Sequence, residues 1–260
     1  MLDLTFSMQE IEFFLLVFAR VLSFVFIAPF FSMNNTPNRV KIGIGLFTAV
    51  LLNGIITDKN LPSYATVWGY GILVMKEVVT GLLIGFGANM CMNIVGFAGR
   101  VVDTEVGFAM ASTIDPTTRQ DTTITGMLYQ YSVMLILIAS GMYQYLLKAL
   151  AETFMLIPVA GQKFDTTSLL QSMISFIRDF VSIGFRIALP VFISMTILNV
   201  ILGVLAKVSP QMNMFAVGIQ LKVLVGIIVL YFTMQMLPSV ANIIYEEIRR
   251  ITVSFVEGMM

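Results

Sequence analysis

Seven charged side chains fall inside the apolar stretches of this chain more than two residues from either end: Arg20, Lys76, Glu77, Arg178, Asp179, Arg186 and Lys222. Such groups could hold a coupling ion, relay a proton or line a wet passage. In lipid each costs at least ~2.5–3.5 kcal/mol unless water or a partner is at hand. Five are positive and two negative, so they cannot neutralise one another one for one. Lys76 and Glu77 diverge by about 100° around a helix, while Asp179 and Arg186 share a face two turns apart. These charges either snorkel to an interface or meet carboxylates of other subunits and a wet lumen.

Other chemistry is thin. The chain has no histidine and one cysteine, Cys91. That removes disulfides, cysteine-histidine metal centres, Ser-His-Asp triads and histidine relays. Gly43-x-Gly45 and Gly69-x-Gly71 lack the strand, helix and downstream acid of a nucleotide fingerprint, and no Gly-Lys-Ser/Thr loop occurs. Lys+Arg and Asp+Glu balance at 15 each, so nothing points to nucleic acid. No enzyme, cofactor or bound metal is expected.

The elements that must position these residues are apolar helices. Of 260 residues, 58% are hydrophobic and 12% charged, against about 25% charged in soluble domains. Six stretches stand out, at 11–33, 42–56, 67–98, 124–150, 169–205 and 214–237. The second would make only about 22 Å of helix and the third about 48 Å, against a hydrocarbon core of ~30 Å. Gly184 and Pro190 are the expected break points of the fifth. With six crossings, Lys59, Lys163, Arg249 and Arg250 face one side and Arg39, Lys41, Arg100, Arg119 and Lys207 the other, which is no positive-inside bias. Asp3, Glu10 and Glu12 precede the first basic residue, Arg20, the reverse of a cleavable leader. Gly81-x-x-x-Gly85 permits close helix approach.

One long connection is unusual. Residues 99–123 carry charge at the ends and an apolar centre of Phe108, Ala109, Met110, Ala111 and Ile114. Asp115-Pro116 starts a turn, and Asp121 or Thr122 could cap the next helix. An apolar middle suits a lid or plug that excludes water from a pore, or a loop docked on its own protein.

A series of strings runs along nearly the whole chain: Ala19-Arg20, Ala28-Pro29, Pro37-x-Arg39-Val40-Lys41 and Lys76-Glu77-x-x-x-Gly81-x-x-x-Gly85. It continues in Gly107-Phe108-Ala109-Met110-Ala111 with Asp115-Pro116, and in Ala206-Lys207-x-x-Pro210-Gln211-x-Asn213-x-Phe215-x-x-Gly218 followed by Leu221-Lys222. On these strings rests a resemblance to the FliR/SctT family of type III secretion export proteins. It implies an all-α fold of polytopic membrane-type hairpins with long broken helices: a FliP-like part and a C-terminal FliQ-like hairpin at about 189–237. Lys207, Pro210, Gln211, Asn213 and Phe215 would form the hairpin tip. It implies a subunit of the flagellar export gate, built with FliP and FliQ, near FlhB and FlhA and in contact with lipid. Unfolded flagellar proteins would pass through it at the bacterial inner membrane, within the flagellar basal body. The loop at about 106–122 would plug the closed channel through Gly107, Phe108, Met110, Ile114, Asp115 and Pro116.

The tail at 239–260 carries an apolar stripe at Ile244, Ile248, Ile251 and Phe255, with Glu246 and Arg250 on the solvated face. It suits docking or a membrane surface. Two rivals stand beside the gate. A secondary transporter or ion channel would use Glu77 or Asp179, and the transporter needs matched halves, which the sequence lacks. An intramembrane hydrolase would need histidine or a Gly-x-Gly-Asp string.

Overall fold

The computed structural model describes residues 8–33, 36–56, 64, 66–108, 123–209 and 214–260, with 214–216 described by their backbone only. All regular structure among them is helical. In order the helices are α1 (Met8–Ile27), α2 (Asn38–Ile55), α3 (Val67–Val106), α4 (Ile124–Ala139), α5 (Met142–Leu156), α6 (Thr166–Val208), α7 (Met214–Thr233) and α8 (Leu237–Glu257). A 3₁₀ turn, Met234–Met236, precedes α8. The all-α, membrane-type expectation is met: Val67–Val106, Thr166–Val208 and Val217–Glu257 are long and apolar enough to cross a bilayer. α4 and α5 together pass the same test of length and composition and would make a fourth span if taken as one.

The chain divides into two units. The first comprises Met1–Met90, Gly141–Phe176 and Glu246–Met260. Its core is the face of α1 that recurs at Phe13, Leu16, Val17, Val21 and Phe24, all buried, with Arg20 in the middle of that apolar stripe. α1 packs on α2, where Gly45 leaves room for Leu22. Pro37 precedes α2 with an extended backbone, and its carbonyl accepts the Val40 N–H at 2.9 Å. The tail stripe docks on the protein itself: a Cβ on Gly87 would stand 2.9 Å from the Phe255 ring. The Gly258 and Met259 carbonyls accept the Asp165 and Lys163 N–H groups at 3.0 and 3.1 Å. Asp165 then caps α6, taking the Thr167 N–H at 3.0 Å and the Ser168 hydroxyl at 2.5 Å.

The second unit comprises Cys91–Ser140 and Ile177–Tyr245. Ile94, Val95, Ala98 and Val102 of α3, Val133 and Leu137 of α4, and Ala188, Val191 and Met195 of α6 are buried. Tyr129 and Thr233 join hydroxyls at 3.0 Å.

Three expectations about helix ends fail. α6 runs unbroken through Gly184 and Pro190, because lipid-like surroundings give freed backbone groups no other partner. Gly184 serves packing instead: the Phe97 ring occupies the place of its missing side chain, between Phe180 and Phe185. The stretch 124–150 does break, at Ser140–Gly141, where Gly141 takes φ +80°. α3 continues past residue 98 to Val106.

Candidate functional site

The loop at 106–122 leaves α3 and enters α4 through a frame built in the second unit. α3 stops at Gly107, whose φ of +93° is open to glycine and strained for other residues. Its N–H returns to the Asp103 carbonyl at 3.0 Å. α4 starts after an extended Thr123 that makes no side-chain cap of its own. The cap comes from the other helix: both Asp103 oxygens face the Thr125 N–H, at 3.1 and 3.2 Å. That carboxylate is buried and satisfies a first-turn donor that would otherwise be orphaned. α3 and α4 meet without side chains between them, since a Cβ on Gly99 would strike the Gly126 backbone. A Cβ on Gly226 would in turn strike Val106.

Phe108 is half-buried at the start of the loop. Met110, Ile114, Asp115 and Pro116 lie outside the described residues, as do Asp121 and Thr122, the expected caps. Asp103 was not among the sequence candidates. Its signal was weak, a lone carboxylate one turn before a glycine, and its partner lies 22 residues on.

Arg20 and Glu77 were expected to meet other subunits or a lumen. They meet each other instead, in the first unit and at zero exposure. Nε stands 2.5 Å from Oε2, and Nη2 stands 3.1 Å from Oε1. Nη1 donates to the carbonyls of Ile157 at 3.2 Å and Thr153 at 3.3 Å, and the guanidinium lies 4.2 Å from the centre of the Phe154 ring. Glu77 Oε1 also accepts the Ala160 N–H at 2.6 Å and the Gln162 amide at 2.7 Å. Ala160 sits at φ +65°, in the left-handed region. The glycines of Gly81-x-x-x-Gly85 explain the approach: a Cβ on Gly81 would strike the Arg20 carbonyl and the Ser23 hydroxyl. Helical spacing could not find this pair, which is 57 residues apart in sequence.

The other charges stay outward or half-buried. Arg178 is exposed and 3.7 Å from Asp179. Arg186 is exposed and Lys222 half-buried, and neither has an ion-pair partner among the described residues. Lys76 lines an apolar groove of about 450 Å³. Of the residues expected at a hairpin tip, Lys207 is exposed; Pro210, Gln211, Asn213 and the Phe215 side chain lie outside the described residues. In the tail, Arg250 pairs with Glu247 at 2.7 Å rather than with Glu246, which faces Arg249 at 3.9 Å. The i,i+3 geometry wins there over i,i+4.

The family described as "Bacterial export proteins, family 1" matches residues 11–248. The chain is 30% identical over 235 residues to the flagellar biosynthetic protein FliR of Bacillus subtilis (strain 168), covering 90% of both chains. It is 23% identical over 231 residues to FliR of Escherichia coli (strain K12), covering 88% of this chain and 87% of that one. It is 25% identical over 235 residues to the surface presentation of antigens protein SpaR of Shigella flexneri, covering 88% and 90%.

Proposed function

Because the chain belongs to the bacterial export proteins of family 1, and so is an inner-membrane component of the flagellar and type III secretion export apparatus, we propose that it is the gate subunit of a protein-conducting channel. FliP and FliQ complete the channel, FlhB and FlhA adjoin it, and unfolded flagellar proteins pass through it within the basal body. The loop at 106–122 closes the pore, with Phe108, Met110 and Ile114 excluding water and Gly107 and Asp115-Pro116 shaping the turn.

The observation that carries this reading is the frame at the loop's two ends: Gly107 at φ +93°, the Asp103 cap on Thr125 and the Gly99–Gly126 contact. A plug that moves needs fixed hinges, and these hold one end by backbone, at Gly107, and the other by the Asp103 carboxylate on Thr125. The exposed Arg178 and Arg186, Asp179 beside them and half-buried Lys222 contact the partner subunits or the wet interior. The FliQ-like hairpin covers the second half of α6 and α7, with the 207–215 segment at its tip. The transporter alternative loses its first candidate, since Glu77 is already engaged by Arg20, Ala160 and Gln162.

Two experiments test the proposal. Affinity purification of the full chain from mild detergent should bring down defined small membrane subunits; a stable, self-sufficient monomer would count against it. Phe108→Cys should cross-link to an exported chain stalled in the complex, while buried Cys91 stays unreactive. Absence of that cross-link, with export intact, would remove the loop from the pore.

A further inference from the structure

In the first unit, Trp68, Ile72, Met75, Lys76, Val79 and Phe164 line a groove of about 450 Å³, within the ~300–1,000 Å³ of ligand cavities. Its walls are apolar apart from one ammonium group. Lys76 has no hydrogen-bonded side chain or ion pair among the described residues. The floor is open at Gly71, where a Cβ would meet nothing within 4 Å.

The groove sits on a helix long and apolar enough to cross a bilayer. At its N-terminal end stands an aromatic group suited to a membrane–water boundary. Trp68 is 86% exposed, and the Tyr64 and Tyr70 rings lie 5.5 Å apart. The Tyr70 hydroxyl donates to the Glu12 carbonyl at 3.0 Å. Tyr64 donates to the Glu12 carboxylate, which pushes the phenol up to about 12. Lys76 lies about 12 Å along the axis from Trp68. Helical side chains lean toward their own N-terminus, so the lysine stem covers apolar wall while its head reaches toward the aromatic level.

We propose that this groove holds an acidic phospholipid of the surrounding bilayer, with its acyl chain along Ile72, Met75 and Val79 and its phosphate on Lys76. Apart from Phe164, the lining residues follow one face of α3, so the groove runs along a helix long and apolar enough to cross a bilayer, the direction an acyl chain would take beside it. A lone cation in an apolar slot is complementary to a headgroup carrying one negative charge above a hydrocarbon tail. Lys76 thereby leaves the set of subunit-contact charges expected from sequence. The proposal stands independently of the gate reading.

The chain has one tryptophan, so Trp68 reports on its own groove. The full chain is reconstituted in vesicles of brominated phosphatidylcholine with increasing brominated phosphatidylglycerol, and Trp68 quenching is followed. The wild-type chain should prefer phosphatidylglycerol about fivefold, the effect of one cation near the headgroups. Lys76→Gln should abolish the preference while quenching by phosphatidylcholine persists, and Lys76→Arg should keep it. Gly71→Leu should reduce quenching by both lipids by filling the slot. Excess inorganic phosphate should leave the preference unchanged, which assigns it to lipid and not to a phosphate site. Equal quenching in the wild type, a preference that survives Lys76→Gln, or its loss to inorganic phosphate would each overturn the proposal. So would its disappearance in the complex with copurified subunits, which would give Lys76 to a protein carboxylate.

Discussion

Glu77 and Asp103 stand on the same long helix, and each carboxylate accepts a backbone N–H from a later segment of the chain. Glu77 takes Arg20 twice, the Ala160 N–H and the Gln162 amide, with no exposure to solvent. Asp103 takes only first-turn groups of α4, the Thr125 N–H foremost, beside a loop rich in apolar residues. A buried ion pair is tolerable only when its remaining donors and acceptors are filled, and here Arg20 and Glu77 fill one another's with help from the Thr153, Ile157, Ala160 and Gln162 groups. A helix cap is a weaker contact, worth about 1 kcal/mol, and here it holds one end of the loop. The difference separates a part that fixes the fold from a part that positions a working loop.

The comparison breaks first at Glu77. Glu77→Gln leaves Arg20 buried without its counter-charge and should cost about 3–5 kcal/mol, read as a collapse of the unfolding midpoint or of yield in detergent. Arg20→Met combined with Glu77→Gln should recover most of that loss. A mild effect of Glu77→Gln alone would mean that the pair is wet in the working protein.

Next comes the glycine contact under the loop. Gly99→Ala puts a methyl against the Gly126 backbone and should cost about 1–3 kcal/mol, with export lost before the midpoint falls. Asp103→Ala removes only the cap and should cost about 1 kcal/mol. Its sharper sign is an ion leak through an assembled complex; a sealed complex would make Asp103 structural in the same sense as Glu77.

The smallest effect is expected at Asp165, whose carboxyl is held below the usual carboxylate range by the Ser168 hydroxyl and the Thr167 N–H. A depressed value in the folded state means that the cap stabilises fully above the unfolded carboxylate range. That contribution is lost as pH falls through the folded value. Unfolding midpoints of wild type and Asp165→Asn should therefore differ near neutrality and converge in strong acid; curves that stay parallel would remove the cap.

Much of this was legible in sequence, for physical reasons that also mark the limit. The apolar face of α1 and the tail stripe at Ile248, Ile251 and Phe255 follow helical period, and all are buried. Pro190 and Gly184 misled, because composition cannot say whether a glycine breaks a helix or admits a ring. The Arg20–Glu77 and Asp103–Thr125 contacts were invisible because they join segments far apart in sequence, and local spacing sees only neighbours. The low burial of the apolar windows in α6 and in the α7–α8 run, 17% and 22% against 56% in α3, matches the reading that much apolar surface serves an assembly or lipid. For Arg20 and Glu77 the charge arithmetic sought outside the chain a partner that lies within it.

The most direct test of the plug is the conductance of the purified complex in a planar bilayer, with residues 108–114 deleted and the frame at Asp103, Gly107 and Thr125 left in place. The account predicts normal assembly and a standing ion current that the intact complex does not pass. Assembly with an unchanged, closed conductance would contradict it.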